Sequence, residues 1–451
     1  MKYHVWTIGC QMNTADSQRL GSALETLGYQ HTDELRQADV IVLNTCVVRQ
    51  SAEDRATGFL WSLKPLKEYR PETVIGLMGC MVGIKANSSK RANGRLQDVF
   101  PHVDVLMPPG QPEPLIDYLL QRAGRGGSGA EMEKRYHLQD GTLVLPLHQR
   151  GRTVSAPVPV MDGCNHVCSY CVIPARRGQE HSRPMDDIVT EVRSLVDQGV
   201  KEVVLLGQIV DRYGYDRDEG APRLPHLLRA TNEIEGLERI RFLTSHPSYF
   251  DQRLIDAVAE LPKVCQHVEV PIQAGDDQIL ERMRRGYTAD DYRRLIHRIR
   301  ERLPQGSIAT DVIVGFPGES ESQFQATLDL LAELKIDVCH VATYSPRPGT
   351  VAAKTMTDDV PPQEKKRRLQ AVMTLQEAIV ADINRRLLGQ RVEVLVEEKH
   401  KGKWKGRTRT NKLVFFEDDH PPTAYGDRGW QGRLVDVTIT WTGPWSMQAQ
   451  L

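Results

Sequence analysis

The chain has 451 residues, enough for a few domains of roughly 100–200 residues each. Its composition of 40% hydrophobic, 26% charged and 6% aromatic residues excludes wholesale disorder and allows a large buried core. A formal net charge of −1 excludes polyanion binding driven by overall charge, so any nucleic-acid site has to come from local clustering.

The opening MKYHVWTIGCQMN has no basic segment followed by a long apolar run, so no secretory signal is expected. No stretch reaches the ~18 apolar residues of a membrane span. A cytoplasmic location without a membrane partner is expected, and thiols stay reduced there. Residues 1–121 alternate strand and helix signals, with strands expected at Val5–Ile8, Val40–Leu43, Val74–Met78 and Val103–Met107 and a helix over Asp16–Leu27. That alternation predicts an N-terminal parallel α/β domain. Residues 122–150 read as a linker, its Arg122–Arg135 stretch being Gly-rich and aperiodic.

From 151 to 387 the alternation resumes. Strands are expected near Val158–Met161, Val203–Leu206, Ile240–Leu243, Val268–Ile272, Ile308–Val314 and Val338–Tyr344. Helices are expected over Asp186–Gln198, Leu224–Glu235, Asp251–Leu261, Asp276–Arg302 and Ser320–Leu334, and a charged one over Pro362–Leu387. Six such units predict a partial (β/α)6 barrel, with its active site at the carboxyl ends of the strands. Residues 388–447 alternate as Val392-x-Val394-x-Val396 and Val435-x-Val437-x-Ile439, which predicts a small all-β barrel or sandwich.

Eight cysteines in a large chain of this kind point to metal binding or catalysis rather than disulfides. Cys164, Cys168 and Cys171 form a C-x3-C-x2-C loop after the first barrel strand. Three thiolates at these spacings fit one iron–sulfur cube and leave one iron open. A structural zinc site wants four closed ligands; His166 could supply one, but the barrel context argues against it. Cys10, Cys46 and Cys80 each follow a predicted strand, in TIGC, LNTC and LMGC. Strand carboxyl ends share one sheet edge, so these three converge into a second three-thiolate site. Three separate buried cysteines are the plainer alternative, and it is the one preferred for Cys265 and Cys339.

Two further features stand out. The strand ends LLGQ (205–208) and VGFPGE (314–319) carry glycines, which let backbone approach a ligand closely or simply make a turn. Basic residues occupy 399, 401, 403, 405, 407 and 409. Period two places them on one face of an extended strand. With Trp404 and Phe415 they suggest an RNA surface, against the alternative of a solubilising edge strand.

Nearly the whole chain resembles the radical-SAM methylthiotransferases. GCQMN (9–13), NTCVVR (44–49), GCM (79–81), GCNHVCSYCVIPARRGQEHSRP (163–184), TSHP (244–247), VGFPGE (314–319), YSPRPGT (344–350) and RTRTNK (407–412) carry the resemblance. The GCQMN start is most similar to the branch acting on N6-isopentenyladenosine beside the anticodon of tRNA. Sister branches act on threonylcarbamoyladenosine in tRNA or on a ribosomal-protein aspartate, and an RNA-binding protein with structural metal sites is the non-enzymatic alternative.

The resemblance implies an N-terminal methylthiotransferase domain, a radical-SAM partial barrel and a C-terminal TRAM domain. It implies one 4Fe–4S cluster on Cys10, Cys46 and Cys80 and another on Cys164, Cys168 and Cys171, with S-adenosylmethionine (SAM) consumed both as radical source and as methyl donor. Gly207, Gln208, Gln273 and Gly315 become expected cofactor contacts. Lys399, Lys401, Lys403, Lys405, Arg407 and Arg409 become expected tRNA contacts. The expected partners are tRNA, an electron donor such as a flavodoxin or ferredoxin, and a sulfur source, acting on a monomer. Beyond the cluster ligands the resemblance assigns no catalytic side chain. The sequence departs from the family pattern at Gly207-Gln208-Ile209-Val210-Asp211, usually GQNVN, at Pro271-Ile272-Gln273-Ala274-Gly275, usually PxQSG, and at Val82-Gly83, usually Ala-Gln.

Overall fold

The computed structural model describes residues 1–83, 96–124, 143–418 and 429–451. They form two compact units. The first comprises Met1–Gly151, Pro157–His166 and Cys171–Gln198; the second comprises Arg152–Ala156, Val167–Tyr170 and Gly199–Leu451.

The first unit is built on β1 (Lys2–Thr7), α1 (Gln11–Thr26), β2 (Gln30–His31), β3 (Val40–Thr45), α2 (Gln50–Ser62), α3 (Lys64–Tyr69), β4 (Val74–Gly79), β5 (Val105–Met107) and α4 (Glu113–Arg122). All neighbouring strands pair in parallel in the order β2-β1-β3-β4-β5. Every residue of β3 and β4 is buried, as expected for strands covered on both faces. Ile41, Leu43, Ile75 and Leu77 pack into one apolar layer, and Val40, Val42, Val74 and Met78 into the other. The expected linker, 122–150, lies partly outside the described residues. Its last part is docked rather than free: Leu143 and Leu145 are buried, and Gln198 binds Leu143 O and Leu145 N at 2.8 and 2.7 Å. The two leucines, absent from the Gly-rich part, are what allow that docking.

The chain continues through β6 (Ser155–Pro159), β7 (Met161–Asp162), α5 (Ile173–Arg177), β8 (His181–Ser182) and α6 (Met185–Asp197). The second unit adds β9 (Glu202–Leu206), α7 (Leu224–Asn232), β10 (Arg239–Leu243), α8 (Gln252–Glu260), β11 (His267–Glu269), α9 (Asp277–Arg282), α10 (Ala289–Arg302), β12 (Ser307–Val314), α11 (Glu321–Leu334) and β13 (Val338–Thr343). β10-β9-β6 and β11-β12-β13 form two three-stranded sheets. A parallel bridge from Ile240 to Val264, and Ser245 N donating to Glu269 O at 3.0 Å, carry the order from β10 to β11. This is the expected six-strand partial barrel.

One expected helix, Asp276–Arg302, is two. Arg284 takes a left-handed φ of 58°, Gly286 follows at 74°, and α10 starts on a new cap where Thr288 and Asp291 form a capping box.

After α12 (Val351–Thr355), the long α13 (Pro362–Arg385) leads to the C-terminal barrel. β14 (Arg391–His400), β15 (Lys403–Thr408), β16 (Leu413–Phe416), β17 (Leu434–Thr442) and β18 (Met447–Gln450) close in the order β14-β15-β16-β18-β17. Val394, Val396, Trp404, Val414, Phe416, Val437, Ile439 and Met447 fill it. It is fastened to the amino ends of the strands of the partial barrel. Arg239, the first residue of β10, is fully buried and donates to Arg407 O and Glu393 Oε1 at 2.6 and 2.8 Å. Arg241 pairs with Glu202 at 2.8 Å and donates to Thr408 O at 2.8 Å. Among the described residues no helix is long and apolar enough to cross a membrane.

Candidate cluster sites and nucleic-acid interface

In the first unit Cys10, Cys46 and Cys80 follow β1, β3 and β4 directly, at one edge of the parallel sheet. They are close enough to influence one another: the Cys80 thiol is pushed up to about 11 by burial, drawn down by Arg177, and raised again by Cys46 and Cys10. Gly9 makes room for the convergence. Its φ is 148°, and a Cβ there would stand 2.8 Å from Cys46 Cβ. An amide lattice holds the edge. Asn13 Nδ2 donates to Asn44 Oδ1 at 2.8 Å and to Thr45 O at 3.0 Å, while the Cys10 thiol donates to Asn13 Oδ1 at 3.3 Å. The asparagines of GCQMN and NTC thus hold two of the cysteine-bearing turns together.

The segment after Cys171 packs on the same edge. Val172 is buried in the apolar cluster containing Cys46, Cys80, Met81 and Val82. Arg176 Nη1 donates to Met81 O at 3.3 Å. Arg177 is almost fully buried and pairs with Asp16 at 3.0 Å and Asp162 at 3.3 Å. The unusual Val82-Gly83 therefore lies where residues 172–177 pack.

The C-x3-C-x2-C loop contributes to both units. In the first, Cys164 N donates to Gly178 O at 3.0 Å, and Ile173 N donates to the Cys171 sulfur at 3.5 Å. In the second, Cys168 accepts from Arg285 Nη1 at 3.3 Å. Arg285 is buried in the break between α9 and α10. Its Nε donates to the Tyr287 hydroxyl at 2.8 Å and its Nη2 to Pro271 O at 3.3 Å. Sequence reasoning missed Arg285 by running one helix through it, although Gly286 and the Thr288-x-x-Asp291 cap mark the break. Among the described residues no three His, Cys, Asp or Glu side chains close on a point as ligands of a single metal ion do.

The four expected SAM contacts follow β9, β11 and β12, at the carboxyl ends of the strands. Gly207 exchanges backbone bonds with β10 through Leu243 O at 3.0 Å. Gln208 is half-buried. Gln273 holds a left-handed φ of 77°, a conformation that costs about 1–3 kcal/mol in a non-glycine residue and collects at functional sites. Gly315 has a different reason to be glycine. Its N–H is taken by Glu319 Oε2 at 2.6 Å, and a Cβ would stand 2.4 Å from Lys365 Cγ. Close approach there is made by the Lys365 side chain. Beside this rim Asp211 is buried and accepts from His246 N at 3.0 and 3.2 Å, and burial pushes its carboxyl up to about 8. Burial, then Asp311, pushes Glu269 up to about 7.

The six basic residues do not share one strand face. The chain reverses at Lys401-Gly402, with φ 49° and 86°, so Lys399 sits on β14 and Lys403, Lys405 and Arg407 on the outer face of β15. Each of these last three has an acid: Lys403 with Glu417 at 2.8 Å, Lys405 with Glu398 at 2.7 Å, Arg407 with Glu397 at 3.2 Å. Arg409 turns away and donates to Pro262 O and Val264 O at 2.6 and 2.8 Å. Lys399 stands 5.3 Å over the Trp404 ring, and Lys401 is exposed at the hairpin tip.

Comparison with known proteins adds to this geometry. Residues 158–331 match the radical SAM superfamily, 2–105 the uncharacterized protein family UPF0004, and 385–451 the TRAM domain. The chain is 47% identical over 453 residues to a tRNA-2-methylthio-N(6)-dimethylallyladenosine synthase of Roseiflexus sp. (strain RS-1), covering 100% of this chain and 89% of that protein. It is 46% identical over 449 residues to a protein of the same name from Dehalococcoides mccartyi (strain CBDB1), covering 100% and 98%. Among solved structures it is similar to the radical S-adenosylmethionine methyltransferase TsrM of Kitasatospora setae, with cobalamin and a [4Fe-4S] cluster bound, at a TM-score of 0.54 and 16% identity over 90% of this chain and 80% of that one. It is also similar to the cobalamin-dependent S-adenosylmethionine radical enzyme OxsB, at 0.51 and 9% over 83% and 56%. These two likenesses speak for the fold.

Proposed function

The chain belongs to the family of tRNA-2-methylthio-N6-dimethylallyladenosine synthases, and we propose that it replaces the C2 hydrogen of N6-dimethylallyladenosine, beside the anticodon of tRNA, with a methylthio group. The observation that carries this reading is the pair of three-cysteine sets: one on three strand ends of a single parallel sheet, the other on one loop.

Cys10, Cys46 and Cys80 would hold the auxiliary cluster, and Cys164, Cys168 and Cys171 the cluster that binds SAM. Together with SAM these clusters supply the one-electron chemistry that an unactivated aromatic C–H bond demands, which side-chain acids and bases cannot provide. The residues around them bind, orient and exclude water. Asn13 and Asn44 fix the turns bearing Cys10 and Cys46. Arg285 donates to the Cys168 sulfur at 3.3 Å and would hold it in place for the cluster. Gln273, at its left-handed position, and the Gly207-Gln208 turn would face SAM; Gly315 would shape that rim through Lys365. Lys399 and Lys401 would meet tRNA phosphates first, and Lys403, Lys405 and Arg407 would exchange their carboxylate partners for phosphate. Such exposed ion pairs are worth only about 0–1 kcal/mol, so the exchange is easy. We further infer a monomer working in the cytoplasm, reduced by a flavodoxin or ferredoxin and supplied by a separate sulfur source; eight free cysteines suit that reducing compartment.

The test is nucleoside analysis of tRNA from a strain lacking the chain. The 2-methylthio derivative should vanish and N6-dimethylallyladenosine accumulate, with restoration by the wild-type chain and not by Cys168→Ala. Loss of the methylthio form of threonylcarbamoyladenosine instead would assign the chain to a sister substrate.

A further inference from the structure

Arg177 ends the short helix α5, six residues after Cys171. Its side chain is 2% exposed, and Asp16, which faces it, is 3% exposed. Nη2 is bound to Asp16 and Nη1 to Asp162, at 3.0 and 3.3 Å. The third guanidinium nitrogen, Nε, is buried and its N–H has no acceptor. Native interiors rarely leave such a donor unmatched, and arginine cannot shed its proton to escape the cost. The guanidinium sits on the edge that carries the three thiols: Val172 packs with Cys46 and Cys80, Arg176 donates to Met81 O at 3.3 Å, and Asp16 lies on α1, the helix that Cys10 precedes.

We propose that Arg177 is a positioning residue of the Cys10–Cys46–Cys80 site, donating its unmatched Nε–H to sulfur of the cluster held there and offsetting its negative charge; this rests on the reading of that triad given above. The fork explains the choice of arginine. Two arms are held by Asp16 and Asp162, which aims the third, whereas a lysine ammonium would present a point charge without that direction. Three thiolates make the site anionic, and each electron added makes it more so. A fixed cation therefore stabilises the reduced state over the oxidised one. The competing account is a buried ion pair that only ties α5 to α1.

The experiment uses the full chain with Cys164, Cys168 and Cys171 changed to Ala, so that one triad remains, reconstituted anaerobically with iron and sulfide. Iron content, melting temperature of the cluster-free chain and an EPR-monitored reductive titration are measured for this parent, Arg177→Gln and Asp16→Asn. Both substitutions break the same ion pair. Arg177→Gln should lower the reduced-to-oxidised ratio at a fixed potential at least tenfold, ~59 mV for a one-electron couple. Asp16→Asn, which keeps the guanidinium, should leave that ratio unchanged or raise it. Iron lost from Arg177→Gln but kept by Asp16→Asn also supports the proposal. Equal iron loss in both, or an unshifted ratio in iron-loaded Arg177→Gln, overturns it. An iron-free parent removes the triad assignment and the proposal together; a loaded parent with no Arg177 effect removes the proposal alone.

Discussion

Arg285 Nη1 lies 3.3 Å from the sulfur of Cys168, a residue 117 positions earlier in the chain. The contact exists because the expected long helix breaks at Arg284 and Gly286, turning Arg285 inward, where Tyr287 and Pro271 O hold its other donors. A hydrogen bond to a charged group is worth ~1.5–3 kcal/mol, or roughly 10–100-fold in rate if it is lost only in the reacting state. Arg285→Ala should therefore slow SAM cleavage by about that factor, and Arg285→Lys by less. Iron content measured alongside separates slowed chemistry from a lost cluster. Wild-type cleavage by an iron-replete Arg285→Ala chain would remove this role.

The two triads should load separately. Reconstituted wild-type chain is expected to hold about eight iron atoms, four per cube. Changing Cys164, Cys168 and Cys171 to Ala should halve that and abolish SAM cleavage. Changing Cys10, Cys46 and Cys80 should also halve it, but leave SAM cleavage without methylthiolated product. Product from the second variant would sink the auxiliary assignment.

The lysines of the C-terminal barrel should differ in weight. Lys399→Ala with Lys401→Ala removes two cations without acid partners among the described residues, and should flatten the salt dependence of tRNA binding by roughly 1.4–1.8 in slope. Lys403→Ala with Lys405→Ala should flatten it less, because Glu417 and Glu398 already offset those charges. Both pairs should leave uncoupled SAM cleavage intact. Equal slopes for wild type and the Lys399/Lys401 variant would move the RNA contact elsewhere.

Asp211 gives a pH signature. Its folded carboxyl is pushed up to about 8 by burial, above the unfolded value near 3.9. Between these values the folded chain holds a proton that the unfolded chain has released, so stability falls as pH rises, by at most about 1.4 kcal/mol per unit. Asp211→Asn keeps an acceptor for His246 N and cannot ionise. Denaturant melts at pH 5, 6, 7 and 8 should show a smaller decline for Asp211→Asn than for wild type. Parallel declines would mean that Asp211 does not titrate in this window.

Much of this arrangement was legible locally. Strand-ending cysteines could be placed because parallel strands share one carboxyl edge, and the apolar stretches Val40–Leu43 and Val74–Met78 announce the fully buried β3 and β4. What escaped depends on chain reversal or on distant partners. The period-two basic run looked like one strand because the left-handed turn at Lys401-Gly402 costs only two residues and preserves the alternation. Arg409 matched the pattern but serves Pro262 O and Val264 O, which no local signal encodes. The glycine at 315 also accommodates Lys365, fifty residues later, a packing partner with no local signal. Arg177 gave no local signal because Asp16 and Asp162 lie on other elements, whereas Gly286 and the Thr288 cap do mark the break that turns Arg285 inward.

The fastening of the C-terminal barrel by Arg239 and Arg241 fixes a distance. Arg239 opens β10 at the amino end of the partial barrel, whereas Arg285 meets Cys168 beyond the carboxyl ends. The eight residues of β12 separate these ends by about 25 Å. A nucleoside or short oligomer can reach one end only, while a folded polynucleotide reaches both. On the reading proposed above, the second unit would act as a caliper that gauges the length of its RNA before any base is read. Shortening the RNA below that span should weaken its hold even when the target nucleoside is left intact.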